Sequence, residues 1–141
     1  MASFLKIVRS MFGAKSNPTD EEINQVNFNY VNRDDPAMLA ATQEARESVA
    51  QFVQLLKNPP HPQAAFHVKK RFVDGDRTET MWLSDVQIRG DEFAGLIGND
   101  PQILTQLKCG DEATVGIDEI HDWMVLVGDE MIGAFTVHVG R

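Results

Sequence analysis

Cys109, His121 and Asp122 supply a thiol, an imidazole and a carboxylate that could form a nucleophilic set, with the histidine as base and the acid orienting it. Their placement argues against this. Cys109 precedes Gly110 and Asp111 in what reads as a tight turn, while His121 and Asp122 are neighbours whose side chains leave a strand in opposite directions. Asp118, Glu119, His121 and Asp122 crowd together just before Trp123, and paired carboxylates can do general acid–base work when a cleft holds them together. In an exposed loop the same groups stay solvated. The alternating oxygen ligands, central glycine and closing glutamate of a calcium loop are absent. His61, His67, His121 and His138 have no spacing that puts two on one helical face or on adjacent same-side strand positions, so no metal and no cofactor is implied. No catalytic residue is assigned. Trp82 and Trp123 each lie close to an aspartate, Asp85 and Asp122; either could anchor a partner, although a strand tryptophan is more commonly core. The candidate partner-binding residues are Asp85, Asp100, Asp118, Glu119, Asp122, Trp82 and Trp123.

The elements that must position these residues can be read from periodicity. Asp35 and Pro36 form an N-cap and first-turn pair, and Met38, Thr42, Ala45, Val49, Phe52 and Leu56 follow at spacings of four and three until Asn58, Pro59 and Pro60 stop the run. This predicts one long amphipathic helix, with Glu44, Arg46, Glu47 and Gln51 on its other sides. The period then changes to two. Phe66, Val68 and Phe72 share a face of a first strand that turns at Asp74, Gly75 and Asp76. Trp82, Val86 and Ile88 are predicted on one side of the second strand, Met81 and Leu83 on the other. Phe93 to Ile97 follows, then a short helical turn with Ile103, Leu104 and Leu107. Strands at Ala113 to Ile117, Trp123 to Val127 and Met131 to Val139 complete the chain, with Gly128 and Asp129 between the last two. The expectation is an α+β domain. One long helix packs on a strongly twisted antiparallel sheet of about five to six strands, which could curl into a partial barrel.

The chain has 141 residues, 13 Lys plus Arg against 21 Asp plus Glu, and one cysteine. A domain of this length buries enough surface to hold a core without disulfides or a structural metal. A net charge of −8 opposes binding to phosphate backbones, so nucleic acid is not an expected partner. No apolar run approaches the ~20 residues that span a bilayer. Residues 1–34 read as a basic N-terminal helix and a polar linker. Phe4, Leu5, Val8, Met11 and Phe12 lie at helical spacing within residues 1–15, which could give weak membrane-surface contact or pack on the domain itself. Lys6 and Arg9 interrupt any secretory apolar core, so a cytoplasmic protein is expected. Residues 19–31 could be a helical turn begun by Thr19 and Glu22, or an edge strand carrying Val26, Phe28 and Tyr30.

Several local sequences also carry a family signal: DPAM at Asp35 to Met38, the pair Ala45 and Arg46, WLSDV at Trp82 to Val86 and NDP at Asn99 to Pro101. LKCGDEATV at Leu107 to Val115, DWM at Asp122 to Met124 and GAFT at Gly133 to Thr136 follow in order. On these pieces residues 35–141 resemble the YegJ-like family of small bacterial proteins, a domain of unknown function, and read as a single α+β domain. The resemblance brings no activity. It departs at Glu79, Thr80 and Met81, where the family pattern is expected to hold a histidine and an acid, which weakens any catalytic reading of that strand. The function expected from charge is a non-catalytic acidic protein-binding module, of the immunity type that neutralises a basic toxin or enzyme. The alternative is a small-molecule binder or weak enzyme with a pocket between the helix and the concave face of the sheet, lined by Asp85, Asn99, Asp100, Asp122 and the two tryptophans.

Overall fold

Asp35 has an extended backbone that lets its carboxylate accept the Ala37 N–H at 2.8 Å. That cap, with Pro36 where no helical N–H bond is forfeited, starts α1, Pro36–Glu47. A computed structural model describes residues 35–139 of the chain. The basic helix expected within residues 1–15 and the element left open at 19–31 lie outside the described residues.

The single long helix is corrected to two. Ser48 leaves helical geometry at φ −101° and ψ 5°, and α2, Val49–Lys57, begins beyond it. The Ser48 hydroxyl donates to the Glu44 carbonyl at 2.8 Å and accepts the indole N–H of Trp123 at 3.0 Å. A serine hydroxyl bonded back to its own helix bends the backbone. The apolar stripe survives the break, since Ala45, Phe52 and Leu55 still enter one core.

Six strands follow: β1 Ala65–Asp74, β2 Arg77–Arg89, β3 Glu92–Ile97, β4 Glu112–Gly116, β5 Asp122–Val127 and β6 Glu130–Gly133. They form one antiparallel sheet in the order β4-β3-β2-β1-β5-β6. The architecture is α+β, and the sheet is open at β4 and β6 rather than closed as a barrel. Gly75-Asp76, Gly90-Asp91 and Gly128-Asp129 make three two-residue hairpin loops, with glycine φ of 63°, 63° and 58°. A positive φ at the first loop position matches the twist of the flanking strands, and glycine adopts it without strain.

One short link dictates the curl of the sheet. Residues 117–121 carry the chain from β4 to β5 although β3, β2 and β1 lie between them. In a flat sheet the four spacings of about 4.8 Å would require ~19 Å, nearly the full reach of such a link. The link is not extended, because the Glu119 N–H bonds to the Gly116 carbonyl at 2.9 Å in a turn. The sheet therefore wraps so that β4 approaches β1, and Lys70 of β1 donates to the Thr114 carbonyl of β4. The concave face packs on the helices through Val68, Leu83, Phe93, Trp123, Ala45 and Phe52. Phe52 is central, with ring centroids 5.3 Å from Phe93 and 5.5 Å from Trp123. A smaller group covers the other face: Trp82, Met124, Met131, Ala134 and Val137.

Three local expectations are corrected. Trp82, Val86 and Ile88 do not share a side of β2: a bulge between Ser84 and Gln87, with Asp85 at φ 52°, inverts the alternation. Val86 and Ile88 join Met81 and Leu83 on the helix side, and Trp82 faces away. The last strand stops at Gly133, where φ of 81° and then 59° at Ala134 turn residues 135–139 back over the sheet. Residues 103–107 form turns rather than a helical segment. There Glu79 accepts the N–H groups of Gln102, Ile103 and Leu104 at 2.8–2.9 Å, and Arg77 donates to the Ile103 carbonyl. Among the described residues no helix is long and apolar enough to cross a membrane.

Candidate functional site

Strand pairing sets Trp82, Lys69 and Asp122 in one row across β2, β1 and β5. Directly opposite residues share a face, so the three side chains stand together away from the helices. Lys69 is 2% exposed, and Asp122 and Thr136 are fully buried. Lys69 Nζ donates to Thr136 Oγ1 at 2.7 Å, and that hydroxyl donates to Asp122 Oδ2 at 2.7 Å. Asp122 also accepts the backbone N–H groups of Trp123, Phe135 and Thr136 at 2.8, 3.1 and 2.9 Å. The ammonium lies 5.5 Å from the Trp82 ring centroid. Burial pushes the Lys69 amine down to about 8, with the Asp122 charge resisting. Burial likewise pushes the Asp122 carboxyl above the usual carboxylate range, against the pull of Lys69 and of the Thr136 and Trp123 hydrogen bonds. This buried relay is a latch. It fastens the turn after β6 to the start of β5, and its three side chains are buried.

The nucleophilic set does not assemble. Asp122 directs its oxygens at the latch and accepts nothing from His121, and Cys109 is exposed in its turn. Among the described residues no group of three or more histidine, cysteine or acidic side chains converges as a metal site.

A cleft of about 520 Å³ opens beside the latch, bounded by α1, β1, the β3–β4 edge and the link 117–121. Arg46 comes from α1, one residue after the fully buried Ala45. Its Nε donates to the Ile120 carbonyl at 2.8 Å and its Nη2 to the Glu119 carbonyl at 3.5 Å. Lys70 and Arg71 come from β1, and the Lys70 ammonium also lies 4.9 Å from the Phe72 ring centroid. His121 enters from the link, its backbone N–H donating to the Lys69 carbonyl at 2.9 Å. Burial first, then the charges of Arg71, Arg46 and Lys69, pushes its imidazole down to about 4, while a bond to the Glu119 backbone opposes them. His121 is thus neutral at pH 7. Glu92, Asp118 and Glu119 line the same cleft. The Glu119 carboxylate lies over Gly116, so close that a β-carbon there would stand 2.3 Å from Oε1.

Of the residues singled out from sequence, Asp118, Glu119 and His121 reach this cleft, the two acids exposed and the histidine half-buried. Asp85 is exposed on the bulge, and Asp100 is exposed in the loop after β3. Asp122, Trp82 and Trp123 are buried, so the folded surface does not offer them to a partner. The cleft cations Arg46, Lys70 and Arg71 were not singled out. Lys69, Lys70 and Arg71 are three consecutive cations inside an apolar strand of an acidic chain, and that was the available signal.

Residues 35–141 match a bacterial family described as an uncharacterized protein conserved in bacteria, DUF2314. The uncharacterized protein YegJ of Escherichia coli K12 is 35% identical over 104 residues, covering 74% of this chain and 67% of that protein. A putative ankyrin repeat protein of Neisseria meningitidis serogroup B is 34% identical over 68 residues, 48% of this chain and only 27% of that longer protein. No solved structure matches the chain significantly.

Proposed function

Because the chain belongs to the DUF2314 family of bacterial proteins, whose description carries no activity, we propose a function from the site itself: a non-catalytic binding module that admits a small polar ligand to the cleft. The observation that carries this reading is the cleft's construction. Its volume, about 520 Å³, falls in the ~300–1,000 Å³ range of small-ligand sites. Two of its cations, Arg46 and Lys70, are oriented by backbone carbonyls and keep N–H donors for a ligand. Chemistry is disfavoured because, among the described residues, the acid with a raised pKa, Asp122, turns into the protein and away from the cleft. The test is amide NMR of the full-length 15N-labelled chain with a panel of anionic, neutral and cationic fragments. At least one fragment is expected to move the amides of Lys70, Arg71 and residues 116–121 together. No response there from any fragment would defeat the reading.

A second reading keeps the acidic surface. Asp85, Asp100, Asp118 and Glu119 are all exposed and could meet a basic toxin or enzyme in an immunity-type complex. A pull-down with immobilised full-length chain in low and moderate salt tests it. A stoichiometric basic partner lost at higher salt, and lost with Asp118→Asn/Glu119→Gln, supports it; no partner in either buffer removes it. A cytoplasmic place of action belongs to both readings, and recovery of the full-length chain in washed membranes would overturn that.

A further inference from the structure

Resting on the cleft reading above, we propose that the ligand presents an anionic group, a carboxylate or a phosphate, to the Arg46 guanidinium and the Lys70 ammonium. Arg46 has five N–H donors in a planar fork. Its Nε and Nη2 bonds to the Ile120 and Glu119 carbonyls use one edge and fix the plane. The Nη1–Nη2 edge remains, and it can grip a carboxylate or phosphate in bidentate fashion. Lys70 is set by the Thr114 carbonyl and the Phe72 ring, with donors to spare.

Arg89 pairs with Glu112 at 2.7 Å, whereas among the described residues no carboxylate pairs with Arg46 or Lys70. Glu92, Asp118 and Glu119 share the cleft without closing on them, and Glu119 is turned over Gly116. The charges acting on the His121 ring are those of Arg71, Arg46 and Lys69. Its Nδ1 is buried and has no hydrogen-bond partner among the described residues. Partly desolvated cations without counter-charge are unfavourable, and a ligand anion would offset that. The surrounding acids and the net charge of −8 favour one compact anionic group over a polyanion.

The experiment follows the His121 ring 13C signal of the full-length chain through pH, in inorganic phosphate, in acetate and in chloride at matched ionic strength, with His121→Gln assigning the signal. An anion seated beside the ring is expected to raise its proton affinity about tenfold or more over chloride. Arg46→Gln and Lys70→Gln are each expected to remove that gain, and Lys108→Gln on an exposed loop to leave it intact. Each variant's amide spectrum reports its fold, and Lys70→Gln alone decides the matter if Arg46→Gln does not fold. A response to phosphate alone assigns a phosphate ligand; a response to acetate assigns a carboxylate. A gain that survives in the folded cleft variants means an adventitious ion only and overturns the proposal. If neither anion acts while acetamide or another neutral fragment moves the cleft amides, the anion proposal falls and the cleft reading stands. If nothing of any charge moves those amides, both fall.

Discussion

Asp122 shows how far a single carboxylate can organise a small fold. It gathers three backbone N–H groups and one hydroxyl, and through that hydroxyl it meets a buried lysine. Asp122→Ala would strand the Lys69 charge and release residues 135 and 136. A loss of about 3–5 kcal/mol is expected in urea unfolding. The double variant Lys69→Met/Asp122→Ala should lose less than the two singles added together, because no charge is left buried. An Asp122→Ala loss below about 1 kcal/mol would contradict the latch. His121 gives a pH dependence of definite sign. Its folded-state pKa of about 4 lies below the unfolded value near 6.5, so the unfolded chain binds more protons between them. The His121 contribution is complete above pH 6.5 and is lost as pH falls toward 4. Allowing for its partial exposure, it amounts to about 2 kcal/mol. Stability measured from pH 7 to 4 should fall less steeply in His121→Gln than in the parent chain, and identical slopes would count against the account.

At the scale of elements, the hairpins were legible and the irregularities were not. Gly75-Asp76, Gly90-Asp91 and Gly128-Asp129 announce their turns through glycine, which the backbone there requires. The break at Ser48 leaves no such mark, because serine is tolerated inside helices and the apolar stripe runs through it from Ala45 to Phe52. The partner that explains it, Trp123, lies 75 residues away. Ser48→Ala would leave the indole N–H without its acceptor, and a loss of about 1–2 kcal/mol is expected by thermal or urea unfolding. Asp85 and Ala134 take positive φ without being glycine, so neither the bulge in β2 nor the early end of β6 could be read from alternation. Gly133 is the stricter position. A β-carbon there would lie 2.5 Å from the Trp123 carbonyl and 2.6 Å from its ring, whereas one at Gly75 would meet nothing within 4 Å. Gly133→Ala should cost at least about 3 kcal/mol and Gly75→Ala about 1 kcal/mol, and equal costs would show that the packing at Gly133 is looser than described.

For the whole molecule, net charge pointed to the acids, while the cleft sets the bases Arg46, Lys70 and Arg71 among the acids Glu92, Asp118 and Glu119. Arg46 and His121 are far apart in the chain, and they meet because α1 lies on the concave face that the link 117–121 crosses. That crossing depends on the curl of the sheet, which follows from the strand order; periodicity reports faces, not order. The α+β class, the strand count and the helix start were therefore visible in the sequence. The site was not, apart from Asp118, Glu119 and His121, which the sequence brings together, and the run of cations from Lys69 to Arg71. On the reading proposed above, Arg46 and Lys70 keep a place for a ligand in the cleft of this acidic protein. The most direct test is the NMR titration of the His121 ring in the ligand-free, full-length chain, in chloride alone. A midpoint near pH 4 is the expected result. A midpoint at or above the ordinary value near 6.5 would show that burial and the charges of Arg71, Arg46 and Lys69 do not hold the ring neutral, and would overturn the cleft described above.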